Sequence, residues 1–138
     1  VELAEALEHA ANTRHGVLVT LRRDGMPQLS NIYFYLFDGV VKISVTDDRA
    51  KTRNARREPR GELWFSHEDF FHYAVLEGEI SLSAVAQDPD DEVVDELVEL
   101  YRAAGQDHPD WDEFRRSQVA DKRLVLSLTP TRAYGMWP

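Results

Sequence analysis

Six cations fall within twelve residues of this chain, Arg49, Lys51, Arg53, Arg56, Arg57 and Arg60, and between Arg49 and Arg60 only Glu58 opposes them. That segment carries +5 in a chain whose formal charge is -9, which leaves -14 for everything else. A basic island in an acidic protein suits an anionic ligand. Asp47 or Asp48 stands where it would cap a helix, and Glu58-Pro59 would end that helix near Arg57, because the residue before a proline is driven out of the α region. Free backbone N–H groups, the positive end of the helix dipole, Arg49 and Lys51 then converge on one point, an arrangement that holds a phosphate. The competing reading is a solvated helix face whose cations pair with acidic residues further along the chain.

Other residues that could do chemistry give less. Five histidines are scattered along the chain, and His67 and His72, five apart, match neither a helical metal pair nor a motif with a third ligand, so no metal site is expected. The adjacent acids Asp47/Asp48 and Glu68/Asp69 read as turn and cap chemistry rather than as paired catalytic carboxylates. Walker A, Gly-x-Gly-x-x-Gly and Gly-x-Ser-x-Gly are all absent. Without cysteine there is no disulfide, no iron–sulfur or zinc-finger pattern and no thiolate nucleophile. A pI near 4.9 argues against nucleic acid as a partner, since a long phosphate footprint needs a broad basic face. A small phosphorylated molecule fits one short basic element better.

The elements that must position the basic helix follow from periodicity. Leu3, Ala6, Leu7 and Ala10 share one face of a helix over Glu2 to Ala11. Val17 to Arg22, Gln28 to Phe37 and Val40 to Val45 read as strands joined by Asp24-Gly25 and Asp38-Gly39 turns. Beyond the basic helix, Gly61 to Ser66 and Tyr73 to Val85 are two more strands, with Gly78 marking a bulge or bend. Asp88-Pro89 opens a helix carrying Val93, Val94, Leu97, Leu100 and Tyr101 on one face, and Asp110 to Glu113 has the pattern of a capping box before a shorter helix. Gln87 to Glu113 holds eleven acids against Arg102 alone, so the outer faces of these two helices are solvated. Leu124 to Thr129 is the last strand, followed by a tail from Pro130 to Pro138.

Six strands, one crossover helix and two helices before the last strand do not alternate regularly. The expected fold is therefore mainly β with flanking helices, a six-stranded antiparallel barrel in a single domain over residues 1–138. Tyr33, Phe34, Tyr35 and Phe37 must point to both faces of their strand, one face to the core and the other to a subunit interface or the wall of a ring-shaped ligand. No apolar run approaches the roughly 20 residues of a membrane span, and the first residues lack the pattern of a signal peptide, so a soluble cytoplasmic protein with no membrane partner is expected.

Taken in order, these segments resemble a known family. Gly25-Met-Pro-Gln-Leu-Ser-Asn31 is similar to the strand entry, and Arg49-Ala-Lys-Thr-Arg-Asn54 with Arg57-x-Pro59 to the phosphate segment, of the pyridoxamine-phosphate-oxidase-like split β-barrel proteins. The match is closest to their actinobacterial branch that uses coenzyme F420, a deazaflavin. Asp121-Lys-Arg123 and Tyr134-Gly135 recur in the same order, so the resemblance spans nearly the whole chain. It implies a homodimer with two cofactor sites, each built from both subunits. It places Arg49, Ala50 and Lys51 at the cofactor phosphate, Thr52 and Asn54 behind it, Ser44 on the strand beneath, and Gln28, Ser30 and Asn31 toward the deazaflavin ring. Phe70-Phe71-His72 departs from the more polar, tryptophan-containing loop expected there, which bears on substrate choice.

The function implied is hydride transfer from the reduced deazaflavin to a small organic substrate, with Tyr73, His72 or water as the proton source. FMN in a pyridoxine-phosphate-oxidase-like enzyme is the alternative cofactor, and a non-catalytic module that binds F420 or a flavin is a third reading. Arg49 and Lys51 serve the phosphate of either cofactor. A long acidic tail would call on further cations such as Arg53, Arg56 or Arg57.

Overall fold

The computed structural model describes residues 1–138. In chain order the elements are α1 (Leu3–Ala11), β1 (His15–Leu21), β2 (Pro27–Tyr33), β3 (Tyr35–Phe37), β4 (Val40–Thr46), α2 (Ala50–Arg57), β5 (Arg60–Ser66), β6 (Tyr73–Leu82), α3 (Glu92–Ala103), α4 (Trp111–Ala120) and β7 (Arg123–Met136). All seven strands pair antiparallel in one sheet, in the order β2-β1-β5-β6-β7-β4-β3. The two edges of that order, β2 and β3, are separated in the chain by the single residue Phe34. Joining both edges through one residue forces the sheet to curl, which gives a barrel split at that point.

The strand count differs from the six expected because the stretch from Gln28 to Phe37 breaks at Phe34. Its ring is fully buried beside Phe65, with centroids 5.9 Å apart, and its N–H donates to the Arg14 carbonyl at 2.8 Å instead of joining a ladder. The first half of the stretch then pairs with β1 and the second with β4. A helical or strand pattern cannot show this, because the break comes from one aromatic side chain being drawn into the core. Truncating Phe34 to alanine would cost about 3–5 kcal/mol.

The last strand is also longer than its apolar run, which ends at Leu128. β7 continues past Pro130, which has no N–H to donate, because Pro130 lies opposite Gly78 where the register slips between Glu77 and Gly78. Thr131 is the unpaired extra residue. A Cβ on Gly78 would run into the Thr129 carbonyl, so the expected bulge at Gly78 is present and demands glycine. Val1, Leu3 and Leu7 pack with the buried Ala6 and Ala10 of α1 against the main core, whose strand residues include Leu18, Ile43, Leu63, Leu76 and Leu126.

α3 begins at Glu92 under Asp91, whose Oδ1 accepts from the Val94 N–H at 2.9 Å, and not at Pro89. The other Asp91 oxygen accepts from the Gln87 and Asp88 amides and turns the chain before the helix. α4 starts under Asp110 as its sequence predicts, with Oδ1 accepting from Glu113 N at 3.1 Å. No helix is long and apolar enough to cross a membrane.

Candidate functional site

The first turn of α2 starts without a side-chain cap. Arg49 occupies the cap position, Asp47 is paired with Arg56, and Asp48 accepts from the Thr46 hydroxyl at 2.8 Å, so neither acid caps the helix as expected. The geometry explains the difference. Asp47 and Asp48 sit two and one residues too early, and Thr52 instead latches the turn by donating its hydroxyl to the Thr46 carbonyl at 2.8 Å. The backbone N–H groups of Thr52 and Arg53 both reach the Arg49 carbonyl, whereas those of Ala50 and Lys51 have no partner in the chain. Two unpartnered amides therefore point out of the positive end of the helix.

Charge converges on the same place. Arg49, Lys51, Ser44 and Arg123 line a groove of about 720 Å³, and Arg123 donates to the Ser44 hydroxyl at 3.3 Å. Arg123 enters because β7 pairs with β4, setting Thr46 opposite Arg123 two residues along from Ser44. Burial first, then the charges of Arg49 and Arg123, push the Lys51 ammonium below lysine's ordinary pKa. An anion beside Lys51 would offset the repulsion that Arg49 and Arg123 exert on its ammonium. Asp121 is the acid beside them, 3.8 Å from Arg123 Nε. Arg123 was visible in sequence only as part of a recurring tripeptide, and nothing in its spacing announced that a strand would bring it to Lys51.

The remaining wall is aromatic and polar. Asn31, Tyr33 and Tyr35 border the groove from the barrel, and Tyr101, His108, Phe114 and Gln118 border it from α3, α4 and their connection. His108 Nδ1 accepts the Asp110 N–H at 3.0 Å, which fixes the ring's orientation and leaves Nε2 as its proton-bearing atom when neutral. Tyr101, Trp111 and Phe114 pack around that imidazole, with centroids 5.5–6.0 Å from it. A second hollow of about 380 Å³, lined by His15, Val17, Trp64 and Ser66, shares Asn31, Ile32 and Tyr33 with the first. One path therefore runs from the cations across Tyr33 to the outer face of β1 and β5.

Of the residues expected at the site, Ser44, Arg49, Lys51 and Asn31 meet at this groove, and Ala50 contributes a free amide. Thr52 and Asn54 turn away from it into the fold. Asn54 donates to the Thr20 hydroxyl at 3.2 Å and to Gln28 Oε1 at 3.1 Å, tying α2 to β1 and β2. Gln28 and Ser30 pair with the buried Thr20 and Leu18, so they face the barrel interior while Asn31 faces out; strand alternation forbids all three from lining one surface.

Of the expected tail-binding cations, Arg56 pairs with Asp47 and Arg57 donates to the Leu21 carbonyl at 2.7 Å and to Asn54 Oδ1 at 3.1 Å. Arg53 remains exposed. None of the helix's cations pairs with α3 or α4, so the solvated-face reading finds no acidic partner there. His72 and Tyr73 border neither hollow; the titratable rings that do are His108, His15, Tyr33, Tyr35 and Tyr101.

Comparison with known proteins matches residues 2–137 to the family model described as pyridoxamine 5'-phosphate oxidase. Among solved structures, one named F420 reductase is 21% identical, with 92% of this chain and 94% of that chain covered and a TM-score of 0.68. A conserved hypothetical protein from Mycobacterium tuberculosis is 19% identical over 96% of this chain and 82% of that one, with a TM-score of 0.74. A Listeria innocua protein proposed to be a pyridoxamine 5'-phosphate oxidase is 16% identical over 96% of both chains, with a TM-score of 0.67. At these identities the likeness shows the fold.

Proposed function

The chain belongs to the pyridoxamine 5'-phosphate oxidase family, and we propose that within it the protein is a cytoplasmic homodimeric oxidoreductase that uses coenzyme F420 to reduce a small organic substrate. The observation that carries a phosphorylated cofactor is the anion site, two unpartnered amides with Arg49, Lys51 and Arg123 at the mouth of one groove, and the choice of F420 rests on the resemblance of the sequence to F420-dependent proteins. The donor set fits a phosphate, with charge-assisted hydrogen bonds from the guanidinium and ammonium groups added to the helix N-terminus. Bound there, the deazaflavin supplies the hydride. The chain's own task is to hold and shield it.

Arg49, Lys51 and the Ala50 and Lys51 amides bind the phosphate, while Arg123 both reaches it and keeps Ser44 oriented. Tyr33 and Tyr35 provide flat apolar surface along the path from the phosphate to the outer face, and Asn31 provides an amide for ring polar atoms. Phe114 and Tyr101 exclude water on the side of α3 and α4. His108, whose Nδ1 accepts the Asp110 N–H, is the wall residue able to offer a hydrogen bond from its Nε2–H. Dimerisation is supported by the outer face, where Leu29, Tyr33 and Met136 are 60–64% exposed and Phe71 is 82% exposed. Such apolar surface is characteristic of an interface.

FMN is the second reading, and the pairing of Arg56 and Arg57 within the chain favours it, because only Arg53 is left to meet a long acidic tail. Titrating the purified protein calorimetrically with F420 and with FMN separates the two. Tighter binding of F420 supports the proposal; tighter binding of FMN at every salt concentration replaces it with the flavin reading.

A further inference from the structure

We propose that the β5–β6 loop binds one divalent transition-metal ion of the zinc type through His67, Asp69 and His72. Their donor atoms lie within 4.8 Å of one another, although the residues are spaced irregularly along the chain. Asp69 Oδ2 is 3.3 Å from His67 Nδ1 and 2.5 Å from His72 Nδ1. Zinc bonds to imidazole nitrogen and carboxylate oxygen are about 2.0–2.2 Å, which puts neighbouring donors of a tetrahedral site about 3.4 Å apart. The three donors bracket that spacing, so small side-chain rotations seat the ion.

The loop backbone is already closed around this point. His67 N–H donates to the His72 carbonyl at 2.8 Å and Phe70 N–H to the His67 carbonyl at 2.9 Å, with Phe70 in the left-handed region at φ 67°. His72 N–H occupies Asp69 Oδ1 at 2.9 Å, leaving Oδ2 to both imidazoles. Behind His67 the Trp137 ring stands edge-on at 5.5 Å and limits its rotation. Coordination through His72 Nδ1 leaves that ring's proton on Nε2, and the ion takes the place of the long 3.3 Å contact between Asp69 N–H and His67 Nδ1.

The donor chemistry selects the ion. Two imidazoles and one carboxylate, with no thiolate, suit zinc, cobalt or nickel and suit magnesium and calcium poorly. Each of the three side chains is about a third exposed, 35%, 36% and 35%, so water completes the coordination. Binding would clamp the base of a loop whose tip carries the exposed Phe70 and Phe71.

The test is calorimetric titration of the metal-free full chain with zinc chloride, with the melting temperature followed in parallel. One zinc ion per chain and a rise in melting temperature with zinc are expected. Losing even an outer-shell partner of a metal site costs about 10–100-fold in affinity, so His72→Gln and Asp69→Asn should each lose at least tenfold, and the His67→Gln/His72→Gln pair the whole specific signal. His15→Gln should bind zinc as the parent does, and magnesium should give no saturable heat. Circular dichroism without zinc confirms that each variant is folded, and Asp69→Asn decides the matter if a histidine variant is not. Unchanged zinc affinity in the folded double variant, or no saturable zinc binding by the parent protein, overturns the proposal.

Discussion

At the first turn of α2, Arg49 and Lys51 face a groove beside two unpartnered amides, and the nearest acid contact there is Asp121 on Arg123. One and a half turns later, Arg56 is held by Asp47, and Arg57 is turned onto the Leu21 carbonyl and Asn54. The side chains are of one kind and the helix is eight residues long, yet one end is left available to an anion and the other is consumed in holding the helix to the barrel. The difference comes from what the neighbouring strands bring. β7 delivers another cation to the first turn, whereas β1 delivers a carbonyl to the last.

The comparison can be broken by substitutions at either end. The largest effect is expected from Lys51→Ala, which would remove the proposed charge-assisted phosphate contact, worth about 1.5–3 kcal/mol, and should weaken cofactor binding tenfold or more in a fluorescence titration. Arg123→Ala should act in the same direction although it lies 72 residues further along the chain. Arg57→Ala should leave affinity nearly unchanged and lower stability by about 1 kcal/mol, seen as a reduced denaturation midpoint, because its hydrogen bonds are to the fold. Arg56→Ala should do least to affinity, and its exposed pair with Asp47 contributes about 0–1 kcal/mol to stability.

The pH dependence sharpens the same contrast. Since the folded-state pKa of Lys51 lies below its unfolded value, the unfolded chain holds more protons between the two, and Lys51 makes the ligand-free protein more stable as pH rises across that window. Anion affinity should move oppositely, falling as pH rises through the lowered Lys51 pKa, because the neutral amine no longer attracts phosphate. Lys51→Arg should abolish both trends while keeping the anion site charged, which parallel melting and binding measurements would show as pH is raised toward lysine's ordinary range.

Much of this was legible in the residues. The Asp24-Gly25 and Asp38-Gly39 turns, the Asp110 cap, the Gly78 bulge and the basic helix that follows β4 come from local chemistry that acts within a few residues. What escaped depends on distant partners. Phe34 breaks its strand because Phe65 and the rest of the core accept its ring, and β7 passes through Pro130 because Gly78 lies across from it. Asp47 caps nothing because α2 starts two residues later than it would need, and its carboxylate pairs with Arg56 instead. Gln28 and Ser30 carried the right chemistry for a ring site, but pairing with β1 turned them inward and left Asn31 outside. Asp69 was read as turn chemistry, and it does accept the His72 amide, but the same turn brings both imidazoles to its other oxygen.

The central claim is that an anionic cofactor is held at the first turn of α2, and calorimetric titration of the parent protein, Lys51→Ala and Arg56→Ala with F420 and with FMN tests it most directly. The account predicts one cofactor per chain, F420 bound more tightly than FMN, at least a tenfold loss for both cofactors in Lys51→Ala, and parent-like affinity in Arg56→Ala. Equal affinities in the parent and both variants would contradict it.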